Sequence, residues 1–238
     1  YDIPVKRQQN IAFFSTGDEL SSLGDSLQTG QIYDSNRYTL TGLLNDLNRN
    51  ISDLGVIRDD KQKIKQSLLS AAKTHDVIIT TGGASVGEAD YIKEILDECG
   101  EVNFWKIAIK PGKPLAFGKI NDCYFFGLPG NPVSVIATFQ KIVLPALNYL
   151  SGIPMKKPLT LKAICNSQLK KQPGRQEYQR GILSQNESGD LFVESAGKQG
   201  SNIMSAMSKA NCYIVLPIDS AGVKAGQTVT VEPFEVSL

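Results

Sequence analysis

Val77-Ile78-Ile79-Thr80-Thr81-Gly82-Gly83-Ala84-Ser85-Val86-Gly87-Glu88-Ala89-Asp90-Tyr91 is the stretch that decides the fold. Its short apolar, β-branched run is the pattern of a strand buried on both faces. The run passes straight into glycines, and behind them Tyr91, Ile92, Ile95 and Leu96 recur at helical spacing. The same strand–loop–helix unit precedes it twice. Ile11-Ala12-Phe13-Phe14 ends in Ser15-Thr16-Gly17-Asp18-Glu19, and Asp34-Ser35-Asn36 then offers caps to a helix carrying Leu40, Leu43, Leu44 and Leu47. The run Ile51 to Ile57 closes in Arg58-Asp59-Asp60 and is followed by Ile64, Leu68, Leu69 and Ala72. Repeated units of this kind predict a mainly parallel sheet covered on both faces, a three-layer αβα domain.

After Leu96 the rhythm changes. Phe104–Ile109, Leu115–Ile120 and Cys123–Leu128 read as three strands with short connections, a hairpin at one sheet edge. The connection Lys110-Pro111-Gly112-Lys113-Pro114 joins the first two, and a long helix follows from Pro132 to Leu150. Ser151-Gly152-Ile153-Pro154 is a boundary signal. Beyond it the helical period largely disappears, and Leu159–Ile164, Tyr178–Leu183, Leu191–Glu194, Cys212–Leu216 and Thr228–Val231 read as short strands between turns. The chain therefore reads as an α/β domain over 1–152 and a small all-β, barrel-like domain over 153–238.

Charge and composition exclude several classes. The 238 residues carry 25 Lys and Arg against 24 Asp and Glu, a net charge of +1, which excludes a polybasic nucleic-acid binder. No apolar run is read as approaching bilayer length, no secretory leader opens the chain, and the missing initiator Met reads as a fragment. Cys99, Cys123, Cys165 and Cys212 lie far apart without a C-x-x-C pair, as expected for reduced thiols in the cytosol. One histidine, His75, sits between a helix and a strand, which leaves little room for a His-rich zinc site or a serine-hydrolase triad.

In an open parallel sheet, ligands bind beyond the carboxyl ends of the strands. Here those ends carry Asp18 and Glu19, Asp59 and Asp60, and the loop from Gly82 to Asp90. Two or three carboxylates on one rim form a hard-oxygen site suited to Mg²⁺ shared with a phosphate. The same acids also suit the capping of the helices that follow, and the sequence leaves both roles open. Gly82-Gly83-x-Ser85-x-Gly87 offers backbone N–H groups to an anion. It is neither a Walker A loop nor a G-x-G-x-x-G fingerprint, since the one similar Gly112-Lys113 runs into Pro114. Lys106 and Lys110, four apart on a predicted strand, share a face, and with Lys113 they surround a stiff Pro-Gly turn. They suit an oxyanion or an ordinary solvated strand. In Leu128-Pro129-Gly130-Asn131-Pro132-Val133, Pro132 stands near the helix start and Asn131 is positioned to cap it.

Together these motifs resemble the molybdopterin molybdenumtransferase family, which includes bacterial MoeA and the C-terminal region of gephyrin. The resemblance rests on Ser15–Leu20, Tyr33–Arg37, Gly82–Tyr91, Lys110–Pro114 and Gly127–Ser134 in that order, with Pro173-Gly174-Arg175 and Tyr178–Gly181 in the β domain. It spans about Asn10 to Phe234, without the N-terminal part that members normally carry. It implies insertion of molybdate into adenylated molybdopterin with release of AMP, in a Mg²⁺-dependent step. By resemblance, Glu19 and Asp59 hold Mg²⁺, Asp59 and Asp90 serve catalysis, and Lys106 and Lys110 meet phosphate or developing charge. Thr16, Gly17, Asp18, Gly82, Gly83, Ser85, Gly87 and Lys113 line the substrate, and Pro129, Gly130, Asn131 and Pro132, with Arg175 or Arg180, shape a molybdate pocket. The implied setting is cytoplasmic, with small-molecule substrates, no nucleic acid or membrane, a homodimer of the full-length protein, and molybdopterin adenylyltransferase as a pathway partner. The alternatives are the adenylyltransferase itself, against which the β domain and the Lys-Pro-Gly-Lys-Pro turn argue, and a non-catalytic scaffold or binding fragment.

Overall fold

The computed structural model of the chain describes residues 3, 5–45, 47, 49–82 and 89–234, and the side chains of these apart from 89–91 and 102–105. It divides into two compact units, one of Tyr1–Lys106 with Pro114–Met155, the other of Ile107–Lys113 with Lys156–Leu238.

The first unit opens with β1 (Asn10–Thr16), a short parallel pair β2 (Leu20–Ser21) and β3 (Ile32–Tyr33), and α1 (Ser35–Asn45). Then come β4 (Asn50–Ile57), α2 (Lys61–Ala72), β5 (Val77–Thr81), α3 (Ala89–Cys99) and β6 (Gly100–Lys106). The next strand, β7 (Ile109–Lys110), belongs to the second unit; β8 (Pro114–Ile120) and β9 (Cys123–Leu128) return to the first. The sheet order is β4-β1-β5-β9-β8-β6, parallel across β4, β1, β5 and β9 and antiparallel at the β8–β6 edge. The mostly parallel sheet and its edge hairpin thus have the arrangement the alternating periods predict. Every residue of β5 is buried, and all of β1 after Asn10, which is why these strands read as unbroken apolar runs.

Successive side chains on β1 point to opposite faces. Ala12 and Phe14 join Ile64 and Leu68 of α2 and Ile92, Ile95 and Leu96 of α3 in one apolar layer. On the other side, α1 packs against β1, β4 and α4 (Pro132–Thr138). Burying each Ile, Leu or Phe contributes about 1.5–3 kcal/mol. α4 runs through a π-helical turn, Phe139–Val143, into α5 (Leu144–Leu150). The Leu144 N–H reaches back to the Phe139 carbonyl. The wider turn comes just before Pro145, which lacks the N–H that an α-helix would direct at Lys141.

The helix Pro132–Leu150 corrects the expectation about apolar length. Its 19 residues include an 18-residue window of mean hydropathy 1.3, long and apolar enough to cross a bilayer by composition. Half of that window is buried within this unit, with Val133–Thr138 covered without a gap and the Gln9 amide bonded to the Leu147 carbonyl. A core helix buried on most sides has that composition too.

The second unit holds β10 (Leu161–Cys165), β11 (Leu169–Lys170), β12 (Gln176–Gln185), β13 (Leu191–Ser195), a short α6 (Met204–Lys209) that the sequence reading lacked, β14 (Cys212–Leu216), β15 (Gly222–Val223) and β16 (Thr228–Pro233). The order β13-β10-β16-β14-β12 closes because β12 also pairs with β13. Gly181 is the corner of this barrel, paired with Cys212 on one side and Ser195 on the other. A Cβ there would stand 2.8 Å from Ile214 and 2.9 Å from Val193. Glycine is required by close approach rather than by backbone angle.

The segment 107–113 departs from the expected layout. A single strand over Phe104–Ile109 was predicted, whereas β6 ends at Lys106 and β7 pairs in parallel with Gln176 and Glu177 of β12. The excursion is closed by a hydrogen bond from the Ile107 N–H to the Lys113 carbonyl at 2.9 Å. Residues assigned by sequence to the α/β domain thus extend the sheet of the β unit.

Candidate active site

The register levels the carboxyl ends of the parallel strands: Thr16 stands beside Ile57, Ser15 beside Thr81, and Thr81 beside Leu128. The loops that follow therefore open along one edge: 17–19, 58–60, the segment that begins at Gly82, and 129–132. Adjacent strands are about 4.8 Å apart, so the four loops lie within about 15 Å.

Two of these loops are locked together. The Asp18 N–H donates to Asp59 Oδ2 and the Asp59 N–H donates to Asp18 Oδ1, each at 3.3 Å. Asp60, one residue on, does the capping instead: its Oδ1 accepts from the N–H groups of Gln62 and Lys63 at 2.9 and 3.1 Å. Of the two roles open in the sequence, capping thus falls to Asp60 and not to Asp59. The Asp59 pKa is raised from its ordinary value, first by partial burial, then by the charges of Asp18 and Glu19, against the lowering effect of the Asp18 N–H. Arg58 approaches Asp18 at 3.9 Å, but both side chains are 65% exposed, so this pair contributes little. The Glu19 carboxylate folds back over Gly17, where φ is +144° and a Cβ would lie 2.5 Å from Glu19 Oε2.

Gly82 begins the glycine loop at φ +82°, with its Cβ position 2.4 Å from the Thr16 carbonyl oxygen. A side chain there is excluded twice, by angle and by contact. Gly130 lies against Gly82, its Cβ position 3.8 Å from the Gly82 Cα. Pro129 is buried, Pro132 partly buried, and Gly130 and Asn131 exposed. Asn131 stands at the N-cap position but makes no side-chain cap bond, so the capping expected of it fails; Pro132 fixes the helix start instead. Gly83, Ser85 and Gly87 lie outside the described residues. Asp90 lies in α3, but its side chain is likewise outside the description.

The first turn of α1 bonds to the 129–132 loop and to β4, and sequence reasoning gave it no place in the site. Asp34 Oδ1 accepts from the N–H groups of Asn36 at 2.9 Å and Arg37 at 3.3 Å. Arg37 binds Asp53 through two nitrogens, Nε at 2.8 Å and Nη2 at 2.8 Å. Asn36 Nδ2 donates to the Gly130 carbonyl at 2.8 Å. Thr16 Oγ1, Asp34 Oδ2 and Asn36 Oδ1 are buried with no partner among the described residues. One legible signal existed: Asn36, Leu40 and Leu44 are spaced by four and share the buried stripe of α1.

The basic residues fall on both units. Lys106 is exposed at the end of β6, in the first unit. Lys110 is in the second, where its Nζ donates to the buried Glu177 carboxylate at 3.1 Å. The two are on different strands of different sheets, so the shared face read from their spacing is overturned. Lys113 is exposed and Arg175 partly buried, both in the second unit. Arg180, offered for an oxyanion pocket, is 1% exposed, and its Nη2 donates to the carbonyls of Gly200 at 3.0 Å and Lys198 at 3.4 Å. Burial lowers its pKa, and its guanidinium holds the 198–200 segment rather than lining a pocket.

Comparison with known proteins agrees with this arrangement. Residues 12–149 match the family described as "Probable molybdopterin binding domain", and 162–234 match "MoeA C-terminal region (domain IV)". The chain is 48% identical to the molybdopterin molybdenumtransferase of Haemophilus influenzae, covering 98% of this chain and 58% of that protein. It is 34% identical to gephyrin of Dictyostelium discoideum over 92% of this chain and 36% of the relative. Among solved structures, a molybdopterin biosynthesis MoeA protein from Pyrococcus horikoshii aligns with a TM-score of 0.81 at 30% identity, over 97% of this chain and 55% of that one. The chain spans about half the length of such relatives.

Proposed function

Since the chain belongs to the molybdopterin-binding family of MoeA proteins, we propose that it forms the substrate-binding and catalytic part of a molybdopterin molybdenumtransferase. The reaction is transfer of molybdenum from molybdate to the dithiolene of adenylated molybdopterin, with cleavage of the phosphoanhydride and release of AMP. The observation that carries the reading is the reciprocal Asp18–Asp59 lock beside Glu19, on the edge shared with Gly82 and Gly130.

The acids of this edge fit a magnesium ion by donor chemistry. Asp18 and Glu19 both raise the Asp59 pKa, so like charges are close and a cation relieves them. No group of three or more acidic, histidine or cysteine side chains forms a metal cage among the described residues. Magnesium is commonly bound by one or two carboxylates, substrate phosphate and water, so a cage is not required. Glu19 and Asp59 would hold the ion, which when bound supplies charge neutralisation at the phosphoanhydride. The residues of the chain do the rest: Gly17 and Gly82 shape the two loops, the first leaving room for the Glu19 carboxylate and the second for the Thr16 carbonyl, and Thr16, Asp18 and the 129–132 loop border the ligand. Asp90, Lys106, Lys110, Lys113 and Arg175 are assigned to substrate by resemblance, as are Gly83, Ser85 and Gly87. A cytoplasmic setting, a homodimer of the whole protein and an adenylyltransferase supplying the substrate belong to the same reading.

The test is AMP release from adenylated molybdopterin with molybdate and Mg²⁺, beside an Asp59→Ala control. Molybdate-dependent release lost in the control supports the proposal; neither release nor pterin binding overturns it.

A further inference from the structure

We propose that Asn36 is a positioning residue that sets the Gly130–Asn131 peptide so that its N–H meets an oxyanion of the substrate; this rests on the molybdopterin reading above. Asn36 is 5% exposed, and its Nδ2 donates to the Gly130 carbonyl at 2.8 Å. Its Oδ1 is buried with no partner among the described residues. Turning the amide over would set that oxygen against the Gly130 oxygen, so the carbonyl fixes the orientation. The fold therefore uses one polar end of Asn36, the end that grips Gly130, and leaves the other unsatisfied.

An apolar residue on the stripe of Leu40 and Leu44 would avoid burying an idle amide oxygen. Asp34 Oδ2 and Thr16 Oγ1, on neighbouring segments of the same edge, likewise have no partner among the described residues. Buried polar atoms without partners are uncommon and call for an explanation other than stability. Peptide geometry supplies one. The Gly130–Asn131 bond is trans, so its C=O and N–H point in opposite directions. A carbonyl held toward Asn36 sends the Asn131 N–H away from α1, and both Gly130 and Asn131 are exposed. Gly130 has no side chain to screen that N–H, and among the described residues its Cβ position meets Gly82 alone, at 3.8 Å. A fixed, outward N–H on a proline-stiffened loop is a donor for an oxyanion, either molybdate or the phosphate of the pterin.

The test is a titration of the ¹⁵N-labelled chain with sodium molybdate in one arm and molybdopterin in the other, following the Asn131 amide resonance. That resonance is expected to move with at least one, and the arm in which it moves identifies the source of the oxyanion. In Asn36→Asp, which keeps the shape but faces Gly130 with an acceptor, the response should vanish and affinity fall tenfold or more. If the resonances of Gly17, Asp18 and Gly82 move while Asn131 stays, the inference is wrong and the molybdopterin reading stands. A response unchanged in Asn36→Asp also overturns it. If no resonance anywhere moves in either arm, the molybdopterin reading falls and this inference with it. The wild-type titration does not depend on the variant folding.

Discussion

The backbone N–H of Asp18 bonds to the carboxylate of Asp59 while the N–H of Asp59 bonds back to the carboxylate of Asp18, both at 3.3 Å. This lock fastens the loop after β1 to the loop after β4 and keeps two like charges close together. A fold seeking stability alone would separate them.

Asp59→Asn is therefore expected to cost activity and not stability. On the proposed role of Asp59 at magnesium, its loss removes several kcal/mol of charge stabilisation, about 100-fold or more in rate. The raised pKa of Asp59 means that the native state binds this proton more tightly than the unfolded chain. Its unfavourable contribution is present at neutral pH and fades as the pH falls through the folded value. The variant should be at least as stable as the wild type in urea at pH 7, and the difference should shrink toward pH 4. A variant markedly less stable at pH 7 would refute this account.

Gly82 and Gly130 should differ sharply on substitution by alanine. At Gly82 the backbone is left-handed and the new Cβ would stand 2.4 Å from the Thr16 carbonyl oxygen. A destabilisation of about 1–3 kcal/mol is expected from strain of this kind. At Gly130 the Cβ has one contact among the described residues, at 3.8 Å, and the change should lie within about 0.5 kcal/mol. Urea unfolding of the two variants checks the contrast.

Lys110→Met should destabilise the protein through its partner. Glu177 has 5% of its side chain exposed and accepts from Lys110 Nζ and from Gln179 Nε2. Removing the lysine leaves a buried carboxylate short of a donor, about 1–3 kcal/mol. Lys110→Arg should recover most of it. If Lys110→Met loses activity at unchanged stability, the lysine acts on substrate alone and this pair is dispensable.

Thiol reagents should label one cysteine of the native protein. Cys123, Cys165 and Cys212 are buried, and burial pushes the thiols of Cys123 and Cys212 up to about 12. Cys99 is partly exposed. One fast equivalent with Ellman's reagent at pH 8 and four after denaturation is the expected count.

Local period carried most of the first unit. β1 and β5 announce themselves by apolar runs, β4 by its spaced Ile51, Leu54, Val56 and Ile57, and α2 by Ile64 and Leu68 over a capping aspartate. What escaped the sequence depends on partners distant in the chain. The bend after Lys106 is set by pairing with Gln176 and Glu177, some 67 residues away, and nothing in 104–110 records it. Arg180 looks like an anion ligand in Tyr178–Gly181, yet β12 turns it into the barrel wall. For the site, the adjacent acids Asp59 and Asp60 were indistinguishable until backbone geometry gave the cap to Asp60.

The excursion of 107–113 bears on how such a protein can be cut and recombined. An edge strand of the barrel is encoded in the middle of the α/β unit, so the chain crosses from one unit to the other after 106, after 113 and after 155. Neither unit is a contiguous cassette. A gene split near Gly152 would hand the β7 strand to the wrong half, strip the open flank of β12, and leave Glu177 without Lys110. Shuffling of the β unit between relatives would have to carry two separate stretches of coding sequence at once.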